Sequence, residues 1–273
     1  MDSVISITMK MKFPPVALLW ADDKPQEAMQ FGEGKWGCVM WLIASAAKGR
    51  TAVCDRKTFG CPGGGVGVGF GNEYKNFAGG EEGFCHFLSS GNDSWETGRQ
   101  TAEQVKPFLR KEAYDNFVHG ERYLKTPDLV RKFVENLPII DIAAKFVVFK
   151  PLSEVNREKE KPETVIFFAD PDQLSALVVL ANYGREDNES VIIPFAAGCQ
   201  TIGIYPYREA KSAKPRAVAG LTDLSARVHI NRQLAPNLMT FAVPLALFDE
   251  MEGNVEGSFL GRHTWQTLVE AKE

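Results

Sequence analysis

Cysteine is the residue type in this sequence best suited to chemistry, and five cysteines are spread over the 273 residues. An odd number of cysteines argues against a disulfide scaffold. A thiolate is a nucleophile and a ligand for soft metals, and its pKa falls at a helix N-terminus or in an amide-rich loop. The compact Cys-x-x-Cys spacing of zinc ribbons and ferredoxins is absent. Two interpretations follow: a site assembled from distant cysteines, or buried cysteines that serve only as small apolar side chains.

The most informative segment around a cysteine is rich in glycine. From Cys61 to Gly71 the chain reads Cys-Pro-Gly-Gly-Gly-Val-Gly-Val-Gly-Phe-Gly. Glycine allows close backbone approach to a ligand, and exposed amides can bind an anion. The spacing matches neither the dinucleotide nor the phosphate-loop pattern. We predict a loop whose cofactor-binding residues are Gly63, Gly64 and Gly65; the alternative is a structural turn and a strand with alternate glycines that pack tightly.

Three cysteines form the predicted metal site, namely Cys38, Cys61 and Cys199, with Cys54 as an alternate ligand. Cys38 stands at the start of an apolar helix, and the other two follow strands. Three thiolates suit an iron–sulfur cluster with one open iron, or a metal ion with one open position. The cofactor expected from this pattern is therefore an iron–sulfur cluster or another metal.

Few other polar residues indicate a role. Arg227 is predicted to bind a ligand carboxylate or phosphate near Cys199, while the plainer interpretation is an ion pair with Asp223 on one helical turn. The Cys85-His86 pair lies between aromatic residues, which favours a buried structural role. The sequence has no Gly-x-Ser-x-Gly elbow and no His-x-x-x-His pattern, so neither a serine hydrolase nor an ordinary zinc protease is expected.

The elements that must position these residues repeat in order. Each half of the chain reads strand, apolar helix, strand and cysteine, ending in Cys61 and Cys199. The predicted fold is α/β, with two similar strand-helix-strand halves packed around a central cleft and a helical insertion between them. The expected boundaries are 1–95, 96–140 and 141–273, forming one compact unit.

The predicted elements are bounded by proline, glycine and polar residues. Strands are expected at Val4–Met9, Val16–Trp20, Thr51–Cys54, Lys145–Lys150, Thr164–Phe168, Val191–Ile193, Ala217–Gly220, Ala226–Ile230 and Leu238–Val243. Helices are expected at Trp36–Lys48, from Pro107 to Val118, after Thr126-Pro127, after Asp170-Pro171 as far as Asn182, and in two pieces between Pro244 and Ala271. The charged segment 154–163 is expected to be an exposed loop.

Composition limits the partners. Apolar residues make up 44% of the chain and charged residues 24%, and the formal net charge is −4. These values predict a globular protein with no broad basic field for nucleic acid. No apolar run is long enough to cross a bilayer, and the N-terminus lacks a signal-peptide pattern. We therefore expect a cytoplasmic protein whose partner is a small molecule or metal cofactor, with no nucleic acid and no membrane.

The motifs taken together resemble the Domain of Unknown Function 169 family, a group of uncharacterised bacterial and archaeal proteins. The resemblance extends over Pro14–Phe248 and rests on ordered motifs: Gly37-Cys-Val-Met-Trp41, Cys61-Pro-Gly-Gly, Val68-Gly-Phe70, Pro171-Asp-Gln173, Gly198-Cys199, Arg227 and Pro244. It implies that Cys38, Cys61 and Cys199 occupy positions where the family pattern has cysteine. It implies no substrate.

The function expected from these observations is binding of a small ligand, or of a metal or iron–sulfur cofactor. The site would be a cleft lined by the Cys61 glycine-rich loop and the Cys199 loop. Its enzymatic version is a redox or sulfur-handling reaction. The alternative is a non-catalytic small-molecule-binding or regulatory module in which the cysteines are structurally buried.

Overall fold

A computed structural model describes residues 3–270. The chain divides into two compact units. The first, which we call the sheet unit, contains the residues up to 70 and those from 140 onward, and the second, the helical unit, contains residues 71–139. Residues 71–95, which the sequence analysis placed with the first half, belong to the helical unit.

A seven-stranded sheet organises the sheet unit, with strand order β2-β3-β1-β4-β7-β6-β5. Among the described residues, neighbouring strands pair in antiparallel fashion except for the parallel pair β5 and β6. The central strands are almost wholly apolar because both faces of the sheet are covered. The strands are β1 (Val16–Ala21), β2 (Ala52–Asp55), β3 (Phe146–Pro151), β4 (Thr164–Ala169), β5 (Val191–Ile192), β6 (Ala217–Gly220) and β7 (Met239–Pro244).

The helices fall into both units, with α4 to α7 in the helical unit. They are α1 (Val4–Thr8), α2 (Val39–Ala47), α3 (Pro62–Val68), α4 (Gly80–Phe87), α5 (Glu96–Val105), α6 (Lys111–His119), α7 (Pro127–Glu135), α8 (Pro171–Asn182), α9 (Gly198–Ile202), α10 (Ile204–Glu209), α11 (Leu224–Gln233), α12 (Leu245–Gly253) and α13 (His263–Glu270). The predicted end near Ala271 lies outside the described residues.

Helices cover the two faces of the sheet. On one face, Leu177 of α8 and Met251 of α12 pack with Phe167 and Phe241 in a single apolar core. On the other face, Tyr207 of α10 meets the ring of Trp20 in β1 at 4.9 Å. The α/β class is therefore confirmed.

The predicted internal duplication is not confirmed. A duplicated half would place its first helix on the same face of the sheet as its counterpart. Instead, α8 lies in the core described above, whereas α2 packs with α9 and α11 on the opposite face, where Gly198 adjoins both Met40 and Ala226.

Two predicted strands are wrong because tertiary and capping contacts make them helical. Val4–Met9 contains α1, whose Ser3 cap accepts a hydrogen bond from the Ser6 N–H. The Glu252 carboxylate also accepts the Val4 N–H, at 2.8 Å. The segment Ala226–Ile230 lies within α11, whose first turn is capped by Asp223. The sequence analysis predicted strands here because it gave more weight to the alternation of apolar residues than to these helix caps.

Helix starts that carry a local signal are confirmed. Asp170 caps α8 in a reciprocal capping box with Gln173, and Pro171 is the first helical residue. Thr126 caps α7 by accepting the Leu129 N–H, with Pro127 as the next residue. An acceptor side chain followed by proline satisfies one free N–H and removes another, which is why this pair starts helices well.

Apolar packing within the helical unit is mainly aromatic. Tyr74 stacks on Phe84 with ring centroids 3.9 Å apart, and Phe77 packs against Phe84 and Phe117. Asn92 is fully buried beneath these rings and donates to the carbonyl oxygens of Gly83 and Phe117. In residues 3–270, every helix is too short or too polar to span a membrane.

Candidate functional site: a cluster of three cysteines

The glycine-rich segment is a helix, and the prediction of a loop is wrong. Cys61 caps α3, Pro62 is its first residue, and Gly69 ends it with φ of +103°. Glycine disfavours a helix by about 1 kcal/mol relative to alanine. Here close packing stabilises the helix in spite of its low intrinsic propensity. A Cβ on Gly64 would lie 2.9 Å from Val39 Cγ2 of α2 and 2.8 Å from the Phe59 carbonyl oxygen, so only glycine fits at this position.

A glycine-to-glycine contact brings the first two cysteines together. A Cβ on Gly60 would lie 2.3 Å from the Gly37 carbonyl oxygen, and Gly60 also has φ of +87°. Only glycine meets both demands without strain. The next residues along the two segments are Cys38 and Cys61, which cap α2 and α3 and are both partly exposed.

The third cysteine lies against the same short helix. A Cβ on Gly67 would lie 2.7 Å from both the Cβ and the Sγ of Cys199. The Cys199 thiol is buried and donates a hydrogen bond to the Gly63 carbonyl oxygen at 3.1 Å. A Cβ on Gly203 would also strike the Gly67 carbonyl oxygen, at 2.1 Å. The glycines of α3 therefore let α9 approach closely enough to seat Cys199 beside the first turn of α3.

The three thiols influence one another electrostatically. Burial, followed by the nearby Cys61 and Cys38, raises the pKa of Cys199 well above its usual value. Burial and then Cys61 raise the pKa of Cys38. Burial likewise raises the pKa of Cys61, against a lowering effect from the Gly64 N–H, which donates to its sulfur at 3.3 Å. The cluster consequently holds neutral thiols near pH 7.

Asp223 positions the cluster, a role that the sequence analysis missed. One carboxylate oxygen accepts the Ala226 N–H at 3.1 Å and caps α11. The other accepts the Gly198 N–H, also at 3.1 Å, at the start of α9. The carboxylate thus joins two helix starts beside Cys199. The available signal was an aspartate three residues before Ala226, the usual spacing of an N-cap.

The remaining predicted residues have different positions. Arg227 directs its guanidinium to the Leu221 and Leu238 carbonyl oxygens, at 3.4 and 3.3 Å, rather than to Asp223. Cys54 is fully buried in β2, and Cys85 is buried in α4 of the helical unit.

Each of the three predicted cofactor-binding glycines has a backbone role in the first turn of α3. The Gly63 carbonyl oxygen accepts a hydrogen bond from the Cys199 thiol. The Gly64 N–H donates to the Cys61 sulfur, and the Gly65 N–H donates to the Cys61 carbonyl oxygen.

Aromatic side chains group together on the segment that contains Cys38. Trp36, two residues before Cys38, is 62% exposed. Trp41 donates its indole N–H to His229 Nδ1 at 3.1 Å. The Phe31 ring packs on Gly37, where a Cβ would lie only 2.6 Å from it. Trp41 also packs against Phe31 and Trp36, with ring centroids 6.1 and 5.8 Å apart, so the rings form one aromatic group at the start of α2.

The cluster is closely packed, and the predicted central cleft is not confirmed. Among residues 3–270, no group of three or more histidine, cysteine, aspartate or glutamate side chains is arranged to hold a metal ion. A small cavity of about 110 Å³ lies elsewhere, lined by residues that include Ser3, Pro14 and Leu152.

The sheet and cysteine cluster define a mixed α/β protein with a thiol site at the starts of α2, α3 and α9. The chain belongs to the DUF169 family, described as Uncharacterised ArCR, whose family model matches residues 4–254. No curated protein and no solved structure matches the chain.

Proposed function

We propose that this protein binds a thiophilic metal centre, a soft metal ion or an iron–sulfur cluster, through Cys38, Cys61 and Cys199. The observation that carries the proposal is the convergence of three cysteines from segments far apart in sequence, through glycine contacts that admit no larger residue. Packing alone does not require a thiol at each of these three positions, which are neighbours in space but far apart in the sequence.

Electrostatics favours a cationic occupant. Beyond the effect of burial, Cys61 raises the pKa of both Cys38 and Cys199, and the Asp223 carboxylate adds a negative charge that raises the pKa of all three thiols. Three thiolates in this space would repel one another unless a positive centre lay between them. A metal ion or cluster iron supplies that charge and displaces the protons.

Binding requires local rearrangement of the thiols. Cys199 must turn from the Gly63 carbonyl oxygen, because a thiolate has no proton to donate, whereas a Cys61 thiolate can keep the hydrogen bond it accepts from the Gly64 N–H. The bond that is lost is a single neutral hydrogen bond, worth about 1 kcal/mol in net stability. That cost is small beside the roughly 10–16 kcal/mol measured for structural zinc sites.

The test is titration of the reduced apoprotein with Cd²⁺, followed by the ultraviolet thiolate-to-metal charge-transfer band. We expect one Cd²⁺ per chain, and loss of the band in Cys61→Ser and Cys199→Ser. Cys85→Ser is the matched control, because it is also a buried cysteine but lies in α4 of the helical unit. Equal effects of all three substitutions would contradict the proposal.

The pH dependence gives a second readout of the same site. Because burial raises the pKa of each thiol, binding at pH 7 must release protons. The affinity for Cd²⁺ should therefore rise with pH, up to about tenfold per unit for each proton released. Binding that is independent of pH would place the metal on other groups.

The second candidate is a non-catalytic organic-ligand or regulatory module with structural cysteines. The exposed Trp36, two residues before Cys38, and the aromatic group that it forms with Trp41 and Phe31 favour this candidate. It predicts a metal-free protein whose melting temperature rises with an organic ligand. A screen of small molecules against the apoprotein and a Trp36→Ala variant separates it from the metal site.

A further inference from the structure

We propose that the helical unit carries a serine nucleophile, Ser94, activated by His86 and Glu82, and that it accepts acyl groups from uncharged esters. This activity is independent of the cysteine cluster. The carrying observation is a chain of polar contacts within one unit: Ser94 Oγ lies 2.9 Å from His86 Nδ1, and His86 Nε2 lies 3.4 Å from Glu82 Oε1.

The three side chains have the roles of an acid–base relay. With the histidine proton on Nε2, the nitrogen that lies 3.4 Å from Glu82 Oε1, Nδ1 can take the hydroxyl proton of Ser94. That hydroxyl also lies 2.7 Å from the Gly91 carbonyl oxygen, so its proton has two acceptors within reach. Arg131 pairs with the other Glu82 oxygen at 2.5 Å and holds the carboxylate in place.

The surroundings make the relay rigid on one side and accessible on the other. The His86 side chain is only 13% exposed and stacks on Trp95, with ring centroids 4.9 Å apart at 12°. Trp95 is fixed in turn by a hydrogen bond to the buried Asn92. Ser94 itself is exposed, as a nucleophile must be to meet its substrate.

The residues that follow Ser94 in the chain supply backbone donors. Helix α5 begins at Glu96, two residues after Ser94, and no side chain caps its first turn. The first N–H groups of a helix have no partner inside it. They can stabilise the oxyanion that develops when Ser94 attacks a carbonyl carbon. The sequence analysis did not expect this site because Ser94, the last residue of a short 3₁₀ turn, does not stand in a Gly-x-Ser-x-Gly elbow.

The reaction needs no reactant other than the ester and water. The Ser94 oxygen bonds to the ester carbon as its proton passes to His86 Nδ1. The ester C–O bond then breaks, and the leaving alkoxide takes that proton and departs as an alcohol. Water adds to the acyl-serine, gives a proton to His86, and releases a carboxylic acid as the proton returns to Ser94.

The test uses the full chain and a fluorophosphonate probe, in which the Ser94 oxygen would bond to phosphorus as fluoride leaves. Mass spectrometry should find the adduct on Ser94. Labelling should vanish in Ser94→Ala, and its rate should fall at least about 100-fold in His86→Asn. The matched control is Ser175→Ala, because Ser175 is also exposed and donates to a backbone carbonyl oxygen, that of Pro171. Labelling of this variant should be unchanged.

Folding of each variant is checked by its melting temperature, since exposed Ser94 can change without disturbing the core. A nucleophile elsewhere, such as the neighbouring Ser90, would overturn the assignment. So would an adduct on Ser94 that forms equally fast in His86→Asn, or no adduct at all on the folded wild-type protein. None of these outcomes depends on metal binding at the cysteine cluster.

Discussion

Gly67→Ala tests the packing that seats Cys199. The new Cβ would lie 2.7 Å from three atoms of Cys199: its carbonyl carbon, Cβ and Sγ. That is about 0.7 Å short of ordinary carbon contact distances. Two of these atoms, the carbonyl carbon and Cβ, are held by the backbone of Cys199. They cannot move aside as the end of a flexible side chain could.

Two effects oppose each other in this substitution. Alanine favours a helix over glycine by about 1 kcal/mol, whereas overpacking a close interface costs about 1–3 kcal/mol. Since α9 is also fixed by the Asp223 contact to Gly198, we expect the steric effect to prevail. The free energy of unfolding should fall by about 1–2 kcal/mol.

Urea unfolding of wild type, Gly67→Ala and a control measures this effect. Gly253→Ala is the control, because Gly253 is also helical but a Cβ there meets nothing within 4 Å. The control should be unchanged or stabilised by up to about 1 kcal/mol. If Gly67→Ala proves as stable as Gly253→Ala, the close contact between α3 and Cys199 does not exist.

Two further predictions concern the same cluster. Asp223→Ala removes the α11 cap and the contact to Gly198, and should lower the free energy of unfolding by about 0.5–2 kcal/mol in urea; no loss would remove Asp223 from the positioning role. Burial raises the pKa of Cys38, Cys61 and Cys199. The stability that these thiols confer is therefore complete below their pKa in the unfolded chain, about 8.5, and is lost as the pH rises through their pKa values in the folded protein. Unfolding of the reduced protein from pH 7 to 10 should show this decline, and a flat profile would contradict the raised pKa values.

Local signals were sufficient for much of the fold. The apolar runs of β1 and β4 and the Asp170-Pro171 helix start lie where the sequence predicts them. These elements need only neighbouring residues to be recognised: a continuous apolar stretch for a buried strand, and a cap followed by proline for a helix. The three cysteines that the sequence selected also lie in one cluster.

Tertiary contacts decided the rest. The start of α1 depends on Glu252, 248 positions from Val4, which no local pattern can contain. The segment after Cys61 has poor helix propensity, and it is helical because Gly64 and Gly67 fit against α2 and α9. Its Cys61-Pro62 start matched the other two cap-proline helix starts, but the run of glycines outweighed that signal.

The metal content of the protein, purified without oxygen, tests the thiophilic site most directly. Iron, zinc and acid-labile sulfide should be measured per chain, with a visible spectrum, for wild type and for Cys199→Ser. The proposal predicts close to one metal centre per chain in the wild-type protein, accompanied by sulfide and brown absorbance if the centre is a cluster. The metal should be lost in Cys199→Ser. A folded, colourless and metal-free wild-type protein, or metal retained in full by Cys199→Ser, would contradict it.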